Sequence, residues 1–183
     1  MRRIRKLLRL VPLFVMTMAL SPAVCHALDI YLKIAGIDGD SLAVGHAGWI
    51  DVVSLRNALQ TTITVDSGRP VAGLANFSPI SLIKPVDRST PKLQENLVTG
   101  NSALNAIIEI WTPGPTPKKI VEIYLEQVFA VSVDEIVPSG DLPTETVSLY
   151  FTKYRYTFFV YASDGKLTEQ RAFQWNILTN SKK

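Results

Sequence analysis

"KIVEIYLEQVFAVSV" (residues 119–133) decides the fold. Apolar side chains return at every second place, at Val121, Ile123 and Leu125 and then at Phe129, Val131 and Val133. Glu122, Tyr124, Glu126 and Ser132 hold the opposite parity. Successive side chains of an extended chain point to opposite faces, so this pattern predicts a half-buried strand with a bend in it. The preceding run, 103–111, predicts a second strand. Between the two lies Thr112-Pro113-Gly114-Pro115-Thr116-Pro117, whose prolines cannot donate to a ladder, so a hairpin joins them.

Working outward, 146–162 gives the longest strand signal, and its apolar parity changes partway. Val147, Leu149 and Phe151 are odd, whereas Tyr154, Tyr156, Phe158 and Val160 are even. A one-residue slip inverts every side chain, so the change requires either a bulge near Thr152 or a strand that leaves one sheet for another. Residues 29–34 and 49–55 are two further strand candidates near the front of the chain. One short helix is signalled over 90–98. Thr90 can cap it, Pro91 suits its first position, Leu93 and Leu97 share a side, and Gly100 can end it. Two turns are not stable alone, so the leucines must press on the sheet. The expected class is mainly β: a small antiparallel β-barrel with one short flanking helix.

The front of the chain has a different character. Arg2, Arg3, Arg5, Lys6 and Arg9 precede an apolar run over 10–20, then Ser21-Pro22, the order of a secretory signal. The run is roughly half of the about 20 apolar residues a spanning helix needs. Cleavage is expected after Ala27, with Cys25 as second choice, dividing the chain into a signal peptide (1–27) and a barrel domain (28–183). Val24 is not the small residue a lipid-modified Cys25 would require. The 183 residues carry 19 Lys and Arg against 16 Asp and Glu. The leader holds five of the basic residues and no acid, so its loss takes the net charge from +3 to −2. A domain of that charge has no general pull toward nucleic acid or anionic membrane, so neither is expected as a partner after cleavage. Cys25, the single cysteine, leaves too, and with it any disulfide or thiol nucleophile.

Catalytic patterns are sparse. Asp38 and Asp40 flank Gly39 like the start of a calcium loop, but the closing position, counted from Asp38, is Trp49 rather than an acid. Ser41, His46 and Asp51 can be written as a triad, yet no strand-turn-helix elbow surrounds Ser41. His46 is the single histidine after residue 27, too few for a histidine-built metal site. Turn residues and a structural histidine account for all of these, and Glu122 and Glu126 read as a solvated strand face. No enzyme, metal or cofactor is expected.

Residues 56–77 form a long connection with a turn at Ser67-Gly68-Arg69-Pro70 and an apolar tail of Val71, Ala72, Leu74 and Phe77. Long loops in compact domains are uncommon unless they serve a purpose, the alternative being a mobile surface loop. Tyr154, Tyr156 and Phe158 suit either a subunit contact or a barrel core.

Taken together, "DIYLKIAGIDGDS" (29–41), "HAGWIDVVS" (46–54), "KPVDRSTPKLQENLVTG" (84–100), "IVEIYLEQV" (120–128) and "LPTETVSLYFTKYRYTF" (142–158) resemble the haemolysin-coregulated protein family, Hcp, the tube subunit of type VI secretion. The family's Gly-Trp-Asp-Leu ending is altered here to Phe173-Gln174-Trp175-Asn176-Ile177-Leu178. The resemblance implies a β-barrel that forms hexameric rings, stacks into hollow tubes, carries small effectors and meets a spike protein. In family members the corresponding long loop projects toward a neighbouring ring, so Arg69, Val71, Leu74 and Phe77 are expected in ring stacking. Given a ring, the aromatic face of Tyr154, Tyr156 and Phe158 is expected to make lateral subunit contacts, because aromatic residues are enriched in interface cores. Family members assemble in the cytoplasm and are secreted; the leader adds an expectation of a secreted or periplasmic protein. The rival reading is an exported orphan acting as a periplasmic or extracellular binding module.

Overall fold

A computed structural model describes residues 28–182. The expected leader, 1–27, lies outside the described residues. In chain order the strands are β1 (Asp29–Ile34), β2 (Ile50–Val52), β3 (Ser54–Arg56), β4 (Leu59–Gln60), β5 (Ile63–Asp66), β6 (Arg69–Ala72), β7 (Asn76–Phe77) and β8 (Ile80–Pro85). Helix α1 (Thr90–Thr99) follows, and then β9 (Ser102–Trp111), β10 (Lys119–Ile136), β11 (Thr144–Tyr150), β12 (Lys153–Tyr161) and β13 (Leu167–Asn176).

The long alternation predicted at 119–133 becomes β10, the spine of the sheet. One of its edges pairs with β9, and the other pairs with β12 and then β11, all antiparallel. β9 pairs with β1, β1 with β2, β11 with β8, and β8 with β3. The expected strand over 49–55 is split: β2 ladders with β1, and β3 ladders with β8. Between them the Val53 N–H donates to Ile83 O at 2.7 Å. That exchange of partners within one run of chain returns the strand order to its start, and the sheet closes as a barrel. Closure removes the open edges an antiparallel sheet would otherwise present. Leu32, Ile50, Ile80, Leu82, Ile108, Ile123, Leu125 and Leu149 fill the interior with essentially no exposure. Each such burial stabilises by about 1.5–3 kcal/mol.

Two parity expectations meet their explanation at one place. Val121, Ile123 and Leu125 are buried, but the next buried residue is Val128, not Phe129, and Val131 is exposed. Gln127 has φ 51, which turns the strand over by one position. Facing it, between the pairs Glu126↔Lys153 and Phe129↔Tyr150, the partner strand turns as well. Thr152 holds the joint: its N–H donates to Glu126 O at 3.0 Å and its hydroxyl to the Gln127 side-chain oxygen at 3.3 Å. Before the joint β11 stays in the barrel beside β8; after it β12 departs to pair with β13. Neither expected form is met as stated: the run is split at Thr152 into two strands of one sheet, both paired with β10, with β8 as the second neighbour of β11 and β13 as that of β12.

Helix α1 runs as expected, with Pro91 in its first turn and Gly100 in the left-handed conformation at φ 68. Its N-cap is Ser89, one residue before the expected Thr90, and Ser89 makes no side-chain cap bond. Thr90 is committed elsewhere, donating to Glu145 Oε1 at 2.9 Å. Leu93 enters the core.

Candidate functional site

Three features can do work: an arm, an aromatic pocket, and a buried ion pair beneath α1.

The expected loop over 56–77 is a two-stranded arm. β5 and β6 pair from Ile63↔Ala72 to Asp66↔Arg69, closed by Ser67 (φ 49) and Gly68 (φ 79). Two consecutive residues with positive φ make the tight hairpin turn whose twist matches the flanking strands, and glycine at the second place removes the steric cost there. Every residue of β5 and β6 is exposed, and Leu74 just beyond is 77 % exposed. Arg69 and Val71 stand on the arm in solvent, as a contact surface requires. Phe77 does not. It is 7 % exposed, at the root of the arm, with its ring tilted against Tyr154 at 5.4 Å and edge-on to Phe151 at 6.4 Å. The structure therefore moves Phe77 from the stacking group to the core, because β7, pairing with β4, draws it down onto the barrel.

A parallel correction applies to the aromatic face. Tyr154 is 3 % exposed, and its oxygen accepts a hydrogen bond from Asn57 Nδ2 at 2.6 Å. Burial pushes its phenol up to about 12. Tyr156 is half-buried against the core and Phe158 is 43 % exposed. Because β12 leaves the barrel as it runs, one parity passes from interior to surface along three residues. Only Phe158 of the three offers a ready external contact.

Sequence reasoning passed over Glu109. His46 lies over the outer barrel wall, its loop folded back so that its ring stacks on Tyr31 at 4.0 Å and meets Trp49 and Trp111 edge-on at 4.8 and 5.3 Å. Nε2 of His46 donates to Glu109 Oε2 at 2.8 Å, Trp111 Nε1 donates to the same oxygen at 2.9 Å, and Lys119 Nζ donates to Oε1 at 2.9 Å. Burial pushes the Glu109 carboxyl up, but hydrogen bonds from His46, Lys119 and Trp111 outweigh it and hold the group below the usual carboxylate range. Gly39 permits this arrangement, since a Cβ there would lie 2.3 Å from Trp49 O. Beside the cluster opens a cavity of about 350 Å³, lined by Asp29, Tyr31, Val44, His46, Trp49, Glu109 and Trp111, among others. Ser41 is buried and accepts a weak bond from Ala43 N–H at 3.4 Å, and Asp51 is exposed on β2, so the triad written from the letters is not assembled.

Lys84 and Glu145 are the second omission. Both are fully buried, paired across β8 and β11, with Nζ 2.6 Å from Oε1. Nζ also donates to Pro85 O and to Asp87 Oδ1, each at 2.8 Å. Asp87 accepts in addition from the N–H and hydroxyl of Ser89 at the start of α1. The network ties two barrel strands to the helix. Arg88, with its ion pair to Asp40, ties in the 38–49 loop from outside. Glu122 and Glu126, read as a solvated face, pair with Lys119 and Lys153 respectively. Among the described residues no group of three or more His, Cys, Asp or Glu is placed to hold a metal ion.

The fold is that of a mainly β, barrel-like domain with a capping helix and a projecting arm. The sequence matches the family "Type VI secretion system effector, Hcp" over residues 31–158. Among solved structures, a type six secretion system protein superposes with TM-score 0.78 at 24 % identity, covering 86 % of this chain and all of that one. Hcp1 from Salmonella typhimurium gives 0.69 at 21 %, covering 86 % and 99 %. A type VI secretion system effector from Yersinia pestis gives 0.61 at 21 %, covering 81 % and 99 %. Comparison with curated proteins finds no match. The chain belongs to the Hcp family, and its part in type VI secretion is that of a structural tube subunit.

Proposed function

We propose that six copies of this chain close into a ring, that the rings stack through the β5–β6 arm, and that the resulting lumen carries small effectors toward a spike protein. The observation that carries the reading is the arm itself. Ile63, Val65 and Val71, on a two-stranded ribbon that has no third strand among the described residues, and Leu74 just beyond it all face solvent in a single copy. An isolated hairpin of that kind is only marginally stable in water, so its apolar residues are suited to a neighbouring subunit. β13 adds a second unsatisfied edge: it pairs on one side with β12, and Leu167 and Phe173 are exposed along it. A ring needs two different surfaces that meet after a fixed rotation, and stacking needs complementary faces. Arm and edge supply distinct candidates for them. The role is structural rather than catalytic, with His46 committed to Glu109 and the Ser41 hydroxyl buried. Export by a leader cleaved after Ala27 would place the assembly in the periplasm or outside the cell.

Native mass spectrometry and sedimentation velocity test this directly. The expected outcome is a hexamer that forms longer stacks as concentration rises. Leu74→Asp should abolish the stacks while leaving the hexamer and the melting temperature intact. A protein that stays monomeric at high concentration would overturn the proposal in favour of the exported binding module. Intact mass of the protein from its native host reads the cleavage site.

A further inference from the structure

Beside the buried histidine, the barrel wall carries a pocket whose lining includes no residue of the β5–β6 arm or of β13. Two of the chain's three tryptophans, Trp49 and Trp111, line it together with Tyr31. Its volume of about 350 Å³ lies within the range of pockets that hold small molecules. The acidic groups around it are of two kinds. Glu109 has its carboxylate filled by three donors, whereas the side chain of Asp29, at the exposed start of β1, makes no hydrogen bond or ion pair among the described residues. Asp51 stands directly across from Tyr31 in the β1–β2 ladder and so shares its face of the sheet. The Tyr31 phenol registers the surrounding field: burial raises it, and Asp29 and Asp51 raise it further. Lys119, the cation behind Glu109, does not line the cavity. On the neighbouring surface, the Lys33 ammonium sits 5.7 Å from the Trp49 ring centroid, so this indole already draws a positive nitrogen.

We infer that the pocket framed by Tyr31, Trp49, Trp111 and Asp29 binds a small organic cation of the substituted-ammonium class. The physical basis is the combination of electron-rich ring faces, which attract a diffuse positive charge, with an unpaired carboxylate at the rim that selects it over a neutral molecule of the same shape. A carbon-clad ammonium suits such walls better than a metal ion, because it sheds little hydration on leaving water. His46 acts here as a positioning residue: pinned by Glu109, it fixes Tyr31 by stacking and gives Trp49 and Trp111 an edge to pack against.

Choline chloride is the probe, with 3,3-dimethyl-1-butanol as its uncharged isostere, at constant ionic strength. Tryptophan fluorescence of the purified protein is titrated with each. Choline should give a saturable change in the millimolar range, and the isostere a response at least about tenfold weaker. Asp29→Asn should weaken choline several-fold with no change in melting temperature, since Asp29 is exposed; Trp111→Leu should remove the response. Equal responses to the two probes, a response that never saturates, or an Asp29→Asn variant that binds choline unchanged would each overturn the inference. Hexamer formation is read separately, so failure here leaves the assembly proposal standing.

Discussion

Glu109 shows how much one side chain can organise. Its two oxygens hold an imidazole, an indole and an ammonium, joining the 38–49 loop to the ends of β9 and β10. Glu109→Gln keeps the shape and removes the charge, so stability should fall by about 2 kcal/mol at neutral pH, the scale of hydrogen bonds to an ionised group. The sign with pH follows from the lowered folded value. A depressed carboxyl contributes stability above its unfolded value, near 4.5, and loses it as pH falls through the folded value. Urea midpoints of wild type and Glu109→Gln, measured from pH 7 downward, should therefore converge below about pH 4.5. A gap that stays constant to pH 3 would contradict the assignment. Lys84 and Glu145 present a harsher case, because neither has access to water. Lys84→Met leaves a buried carboxylate without its cation and should cost about 3–5 kcal/mol, whereas Lys84→Met with Glu145→Leu should recover most of that loss. Thermal or urea unfolding of the single and double variants decides it. Both residues obey the core parity of their strands, Lys84 after Ile80 and Leu82, and Glu145 before Val147 and Leu149. The signal was therefore present in the letters, but a charged residue at a core position reads as a solvent-facing one unless its partner is known to lie opposite.

Among the elements, those with unbroken periodicity were legible before any coordinates. β1, β9, the first half of β10, the Thr112–Pro117 turn and α1 all fall where alternation, proline and glycine place them. What could not be read was torsion. Gln127 is an ordinary residue in letters, and its positive φ inverts the residues just after it, so Phe129 and Val131 fall on the other face from the one alternation predicts, until a register shift between Ala130 and Ser132 returns Val133 to the core. The 56–77 connection hid its strands for a different reason: exposed on both faces, they show no alternation of burial to be imitated by alternation of polarity. Phe77 and Leu74 separate the two halves of that element experimentally. Phe77→Ala should destabilise the barrel by about 3–5 kcal/mol by opening a cavity beside Phe151 and Tyr154. Leu74→Asp should leave unfolding unchanged within about 0.5 kcal/mol, as surface substitutions do. Reversal of that order in urea denaturation would mean that the arm, not its root, supports the fold.

At the scale of the molecule, two construction styles meet in one chain. The barrel closes on itself and hides its ladder edges; the β5–β6 arm and β13 leave theirs open. A lone copy therefore carries strips of unmet backbone donors and acceptors flanked by greasy side chains, the template on which unrelated strands add and grow into aggregates. Safe passage depends on timing: the interval between release of a finished copy and its meeting with sister copies must be short, or a chaperone must shield the strips meanwhile. Synthesis in concentrated bursts, rather than a slow trickle, is the schedule this architecture favours.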